Sequence, residues 1–214
     1  MEMRVNATRM QLLNLRRRLR MAQRGHKLLK DKRDELMRQF LEVVQASKEL
    51  RTRVEELLAK AAGDLALAGA VTSRATLLEA LLYPKQKLEL EVQMGQIVSA
   101  RVPRFRCRWG EEREKGGLYP YGLAETPPEL DTALRTLAEA LPLMVELAEK
   151  EKAAELLAEE VEKTRRRVNA LEYVLIPQLT QAVRFITMKL DEAERGNLTR
   201  LMKLKEIVRG EKEA

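Results

Sequence analysis

A run of apolar residues at alternating three- and four-residue spacing constrains the fold more than any other feature of the chain. Starting at Leu12 and ending at Leu82, 17 of the 21 positions in this phase are apolar, whereas the whole chain is 45% apolar. This spacing keeps one stripe on one face of an under-wound α-helix, as a left-handed coiled coil requires. Between Leu12 and Ala61 the chain has no proline and no glycine except Gly25, which predicts an uninterrupted helix of roughly 75 Å. Beyond Ala61 we expect a weaker or bent helical continuation.

A second stripe with the same spacing runs from Ala154 to Leu175. Near Pro177 the spacing gains one residue, and the stripe resumes at Leu179 and extends towards Val208. An extra residue beside a proline predicts a stutter, where a coiled coil locally unwinds. Two helices of similar length most simply fold back on each other. We therefore expect an antiparallel two-helix coiled coil with both termini at one tip, although helices from other chains would cover the stripes equally well.

The segment between the stripes has a different composition. Leu88, Leu90, Val92 and Met94 alternate with polar residues, which predicts a short β-hairpin with Gly95 near its middle. Residues 103–128 concentrate glycine and proline and are interpreted as a loop, after which a helix begins at 126–129 with proline in its first turn. The predicted fold class is mainly α, with three regions: a first long helix over 1–84, a head over 85–128, and a second long helix over 129–214.

Charge is distributed unevenly along the chain. The net charge is +7, and residues 1–36 alone hold 11 Lys or Arg against 4 Asp or Glu. This balance favours a polyanion or an acidic protein cavity as partner. Cys107 is the only cysteine, which fits a reducing compartment. The N-terminus has no apolar stretch suited to a signal peptide, and the longest uncharged run, 173–183, is shorter than the roughly 20 residues of a membrane span. We expect a soluble, cytoplasmic protein.

The sequence offers no catalytic or cofactor site. His26 and Cys107 are the only histidine and cysteine, so these residue types cannot form a zinc cluster. Residues 117–123 have the glycine spacing of a phosphate loop, but Leu123 stands where lysine is required. The cations and aromatics of 101–109 are typical of single-strand binding surfaces, although a basic loop with packed aromatics is the favoured interpretation. His26 is interpreted as a hydrogen-bonded core histidine rather than a ligand or a pH switch.

Four stretches carry a resemblance to a known family. Residues 8–36 and 164–177 show the close resemblance, and residues 94–103 and 191–205 also fit. Together they resemble the D subunit of the rotary V/A-type ATPases. The resemblance implies a non-catalytic central rotor shaft, without a cofactor, inside a ring of catalytic and non-catalytic subunits. It further implies that the middle region binds the small F subunit of the central stalk and docks on the socket subunit of the membrane rotor.

The same resemblance implies which residues contact partners or take part in coupling. Rotation of the shaft would link ATP hydrolysis or synthesis in the ring to proton or sodium movement, with the basic tip facing the inner wall of the ring. Catalytic and metal-binding residues are not expected. Carried over position by position, the candidates are Arg9, Leu12, Leu15, Arg16, Leu19, Gly25, His26, Leu29, Lys30, Lys32, Arg33, Asp34, Arg166, Arg167, Asn169, Glu172, Ile176 and Pro177.

Two other functions compete with this interpretation. A nucleic-acid-binding helical hairpin would explain the basic N-terminal helix and predicts binding that weakens steeply with salt. A non-rotary scaffold would explain the coiled coil alone. The rotor interpretation predicts instead that the chain co-purifies with a small globular partner and a large ATPase. It is favoured here, with no nucleic acid as partner and only peripheral membrane association through the assembled complex.

Overall fold

A computed structural model describes residues 6–83, 87–109, 117–122 and 126–210, with side chains described as far as residue 206. It divides into two compact units. Met1–Asp34 and Glu162–Ala214 form one, here called the terminal unit, and Glu35–Val161 form the other, the central unit. The elements are α1 (Arg9–Val71), α2 (Arg74–Leu81), β1 (Leu88–Ile97), β2 (Ala100–Trp109), α3 (Pro128–Asn169), a π-helix (Ala170–Leu175) and α4 (Ile176–Gly210).

Hydroxyl-bearing residues flank helix α1 at both ends. The Thr8 hydroxyl accepts a hydrogen bond from the backbone N–H of Gln11, which satisfies one of the free N–H groups of the first turn. The helix continues through both of its later glycines and ends at Val71. Ser73 then caps α2, because its Oγ accepts the backbone N–H of Thr76 at 3.2 Å. The weaker continuation predicted after Ala61 is therefore the end of α1 followed by a separate eight-residue helix.

In the terminal unit, α1 packs on the returning helix of the same chain. Leu15, Leu179 and Ile186 are buried together, with partly buried apolar residues of both helices around them. Residue numbers rise along α1 as they fall along its partner, since Arg9 bonds Glu194 whereas His26 bonds Glu172. The two segments are antiparallel, as the paired stripes predict.

The stutter predicted beside Pro177 is a π-helix. Each hydrogen-bonded ring of the element at Ala170–Leu175 spans one more residue than in an α-helix, because its hydrogen bonds run from i to i+5. Leu171 and Ile176 are both half-buried and lie five residues apart, whereas Leu175 is 41% exposed. The assignment of Leu175 to the seam is therefore wrong: the extra residue lies before Ile176, and Ile176 takes the inward position.

The central unit buries a second apolar cluster. Leu36 of α1 and Leu157 of α3 are fully buried and contact Val161 and Ala100. Ala100 belongs to β2, so the hairpin packs by its turn end against both helices. Arg51 of α1 bonds Glu151 of α3, whereas Leu36 lies in the same cluster as Leu157 and Val161. Residue numbers therefore rise along α1 as they fall along α3, and these two helices are antiparallel in the central unit as well.

The hairpin differs from its prediction in turn and length. Ile97 pairs with Ala100, so Val98 and Ser99 form the turn and Gly95 lies within β1. Strand β2 continues to Trp109, which corrects the loop assigned to 103–109. The reason is the alternation of arginine with Phe105, Cys107 and Trp109, a period of two that pairs with β1.

The remainder of the predicted loop is described only in part. Residues 117–122 have no regular secondary structure, whereas 110–116 and 123–125 lie outside the described residues. Leu123, the residue that argues against a phosphate loop, lies in the undescribed range 123–125. Helix α3 begins at Pro128, which confirms proline in the first helical turn.

Candidate functional site

The strongest electrostatic feature of the terminal unit is the outer face of α1. From Arg9 to Lys30 the chain has eight Lys or Arg residues and no Asp or Glu. Leu15 and Leu19 point into the seam, and the cations that surround them remain exposed. Four cations lie close together in one turn and a half: Arg16, Arg17, Arg18 and Arg20. A surface of this kind attracts acidic partners and contributes little to the chain's own stability.

His26 joins α1 to the π-helix. Its Nε2 lies 3.3 Å from Oε2 of Glu172, and the two side chains are 22% and 47% exposed respectively. The histidine therefore has a hydrogen-bonded partner at the edge of the seam, in line with the core interpretation. Arg33 also leaves the seam, because its guanidinium donates to Oδ1 of Asp34 at 2.7 Å.

All the candidate residues lie in the terminal unit, where they form an inner and an outer set. The inner set is buried or half-buried along the seam and fixes the two helices: Leu12, Leu15, Leu19, His26, Leu29 and Ile176. Gly25, Lys32 and Arg33 are half-buried at its margin. The outer set is exposed and available to a partner: Arg9, Arg16, Lys30, Asp34, Arg166, Arg167, Asn169, Glu172 and Pro177.

The structure brings few of the candidates into contact across the two motifs. His26 and Glu172 are bonded, whereas Arg166 bonds Glu162 on its own helix. Arg9 bonds Glu194, which sequence reasoning did not select. Arg9, Leu12 and Arg16 also line a cleft of about 290 Å³ with residues of α4. The charged stretch at 191–195 is the sequence feature that could have indicated this part of the cleft.

Sequence reasoning also missed two apolar surfaces of the central unit. On α2 and just beyond it, Leu78, Leu82 and Tyr83 are 60%, 63% and 76% exposed. On β1, a stripe of Leu90, Val92 and Met94 is about half to two-thirds exposed, opposite Cys107, Phe105 and Pro103 on the same face. Apolar side chains clustered on a surface in this way mark protein interaction sites.

A polar network lies beside α2. The Tyr121 hydroxyl donates to Oδ1 of Asp131 at 2.7 Å, and Arg135 donates to the Tyr119 hydroxyl at 3.2 Å. Burial, followed by the hydrogen bond to the Asp131 carboxylate, raises the pKa of Tyr121. Tyr121 also lines a cavity of about 340 Å³ with Tyr83 of the α2 surface. The network fixes the 117–122 segment against the first turn of α3.

Within the described ranges, no three His, Cys, Asp or Glu side chains come together as metal ligands would. None of the described helices combines the length and apolar composition that a bilayer crossing requires.

Comparison with known proteins gives one consistent result. The family model for the ATP synthase D subunit matches residues 11–206. The V-type ATP synthase D subunit of Acetivibrio thermocellus is 56% identical over 206 residues, which cover 96% of this chain and 92% of the relative. Proteins of the same name from Clostridium novyi and Clostridium botulinum (strain Langeland) are each 50% identical, over 98% and 97% of this chain and 97% and 96% of the relatives.

Proposed function

Because the chain belongs to the family of ATP synthase D subunits, we propose that it is the central rotor shaft of a V-type ATP synthase. In this role it turns inside the nucleotide-hydrolysing ring and transmits torque to the membrane rotor. The observation that carries the proposal is the terminal unit, where two antiparallel helices bury a continuous apolar seam and leave a dense cationic face outside. The shaft itself is non-catalytic and binds no cofactor.

The seam suits torque transmission. Leu15, Leu179 and Ile186 are buried between the helices, and further apolar residues flank them above and below. Each such contact is weak, but a long row of them shares a twisting load among many sites. Opening one contact therefore does not separate the helices.

The outer face suits a bearing. Exposed ion pairs contribute roughly 0–1 kcal/mol, so a charged and hydrated surface makes contacts that are individually easy to exchange. The cations between Arg9 and Lys30 would meet successive acidic positions on the ring without locking to any of them. An apolar, interlocking surface would bind more tightly and would resist rotation.

The central unit suits the remaining partners. The exposed apolar residues Leu78, Leu82 and Tyr83 would dock on the socket subunit of the membrane rotor. The apolar face of β1 offers a second surface for the small F subunit of the central stalk. The shaft would thereby stand on the cytoplasmic side, held to the membrane only through the complex, and would couple ATP turnover to proton or sodium movement.

Reconstitution tests this function directly. The ring is assembled from its recombinant catalytic and non-catalytic subunits, with the shaft and the small central-stalk partner added. A bead is attached to a cysteine placed at an exposed site of the central unit, in a Cys107→Ser background. We expect ATP to drive unidirectional rotation of the bead. As a control, ADP without ATP should give only rotational diffusion.

Two results would count against a rotor. The bead on this chain remaining fixed while the ring hydrolyses ATP would make the chain a static scaffold. Failure of the chain to bind the ring, with retention of transfer RNA or DNA at low salt, would favour the nucleic-acid-binding alternative.

A further inference from the structure

Gly25 is half-buried at the margin of the seam, and two large apolar side chains flank it along the exposed side of α1. Met21 precedes it by four residues and Leu28 follows it by three, which places all three on one face of the helix. Met21 is 75% exposed and Leu28 is 69% exposed. The glycine therefore forms the floor of a small notch with apolar walls.

The chain's own packing does not require this glycine. A Cβ at Gly25 would meet no heavy atom within 4 Å, and the backbone there is ordinary α-helix without a positive φ. Glycine is one of the least favourable residues in a helix interior, so alanine would stabilise α1 at this position. Gly25 therefore lowers the stability of α1, and neither the packing nor the backbone conformation of the free chain requires a glycine there.

Two other helical glycines provide a comparison. Gly63 in α1 and Gly196 in α4 are equally open, with no atom within 4 Å of an added Cβ. Neither lies between two exposed large apolar residues: Gly63 is preceded by Ala59, and Gly196 is followed by Arg200 four residues later. The notch is therefore a property of position 25 and not of helical glycines in this chain generally.

The notch has a fixed backbone. His26, the next residue, bonds Glu172 and ties this turn of α1 to the π-helix. A site held in this way can receive a rigid side chain at a small cost in ordering.

We propose that Met21, Gly25 and Leu28 form a docking notch for a large apolar side chain carried by an acidic segment of the surrounding ring. The inference rests on the proposed rotor function. Charge selects the occupant, because α1 has eight cations and no acidic residue between Arg9 and Lys30, and the exposed Arg24 and Lys27 are close neighbours of Gly25. The nearby carboxylate of Glu172 is bonded to His26. An aromatic or leucine side chain flanked by Asp or Glu has the matching chemistry.

Other occupants fit these features less well. A second copy of this chain would bring the two cationic faces against each other, and like charges repel. A nucleic acid would match the cations, but its phosphates would not use an apolar notch. The absence of Cβ at Gly25 allows the closest approach for a protein side chain entering between Met21 and Leu28.

The test separates chain stability from binding. Gly25→Ala and Gly25→Leu are compared with wild type, with Gly63→Ala and Gly63→Leu as matched controls. The probe is the ring reconstituted from its recombinant subunits. Both alanine variants should raise the thermal midpoint of the free shaft by about 2–4 °C, because alanine replaces helical glycine. We expect Gly25→Ala to weaken binding to the ring roughly tenfold and Gly25→Leu to weaken it further, with both Gly63 variants binding as wild type.

Photo-cross-linking identifies the occupant. A photoreactive side chain at Met21 or Leu28 should join the shaft to a ring peptide rich in Asp and Glu. If Gly25→Leu binds the ring as tightly as wild type, the notch is not a docking site although the rotor function stands. Cross-linking to a second shaft or to nucleic acid would also overturn the inference. Failure of wild-type shaft to bind the ring would overturn both the notch and the rotor function.

Discussion

Val98 holds a backbone conformation that its side chain disfavours. It occupies the first position of the two-residue turn with φ 55°, while the following Ser99 has no positive φ. A turn of this pattern prefers glycine at its first position, and a β-branched residue there is strained. We expect Val98→Gly to raise the free energy of unfolding by about 1 kcal/mol, measured in urea. Ser99→Gly is the control and should give no gain, because Ser99 is not strained in this way.

The same turn shows why the sequence predicts the middle of the hairpin near Gly95 and not at Val98 and Ser99. Gly95 is the residue that usually marks a turn, and Val98 is among the least expected there. Register is decided instead by packing, since Ile97 and Ala100 must reach the cluster around Leu36 and Leu157. That requirement comes from residues about 60 positions away on either side of the hairpin, and local sequence preference cannot supply it.

Tyr121 gives the chain a response to alkaline pH. Its pKa in the folded state is raised above the ordinary value of about 10, so folding favours the protonated phenol. The protonated Tyr121 hydroxyl, bonded to Asp131, therefore stabilises the fold below about pH 10. This stabilisation is lost as the pH rises from there through the raised pKa of the folded state. We expect Tyr121→Phe to lower the free energy of unfolding by about 1 kcal/mol at pH 7. The difference from wild type should shrink above pH 10, as followed by thermal denaturation across that range; a constant difference would exclude this linkage.

At the scale of elements, the π-helix accommodates one extra residue, and the apolar residues at its two ends still face α1. Leu171 and Ile176 remain on the inner face across a five-residue step. Deleting Val174, which is 52% exposed, should convert this step to four residues and restore ordinary α-helix. We expect the deletion variant to keep its helical circular dichroism and to unfold within about 1 kcal/mol of wild type.

A deletion elsewhere in the same helical run provides the contrast. Ala158 is exposed like Val174 but lies in regular α-helix, between the buried Leu157 and Val161. Its removal turns every later residue by about 100° relative to the seam. This variant should lose several kcal/mol of stability. Equal stability of the two deletion variants would mean that the π-helix does not adjust the register.

The sequence predicted the existence of this irregularity but not its position. The apolar spacing changes near Pro177, and that much follows from the 3-4 pattern. Leu175 and Ile176 are adjacent and both apolar, so either one could continue the stripe. Only the packing of Leu179 and Ile186 on α1 decides between them, and it places Ile176 inward.

At the scale of the whole molecule, the sequence predicts which residues pack within the chain better than it predicts which surfaces are exposed to partner proteins. Periodicity identified the buried seam residues Leu15, Leu36 and Leu157, because burial within one chain follows the helical repeat. It also assigned Leu82 and Leu175 to the stripes, although these side chains are 63% and 41% exposed. The apolar face of β1 was not anticipated, since alternation predicts a strand without saying which of its faces the helices cover. Likewise the notch at Gly25 depends on exposure of Met21 and Leu28, which lie outside the seam phase.

The cationic face is the whole-molecule feature with the clearest consequence for assembly. Reversing Arg16, Arg17, Arg18 and Arg20 to Glu changes the net charge from +7 to −1. All four side chains are exposed, so the free chain should remain helical and unfold near the wild-type midpoint. On the proposed rotor function, we expect the reversed chain to bind the reconstituted ring at least tenfold more weakly and to lose ATP-driven rotation, because the proposed attraction to acidic ring positions becomes repulsion.

A control with the same change in net charge distinguishes this local effect from a general one. Lys48, Arg53, Lys60 and Arg74 are exposed cations of the central unit, and reversing them also gives −1. That variant should bind the ring as wild type does, and its affinity should keep the wild-type dependence on salt. The salt dependence of the terminal-unit variant should be inverted, since screening weakens repulsion as well as attraction. If both quadruple variants bind equally, net charge governs assembly; if both bind and rotate as wild type, the cationic face of α1 has no part in coupling.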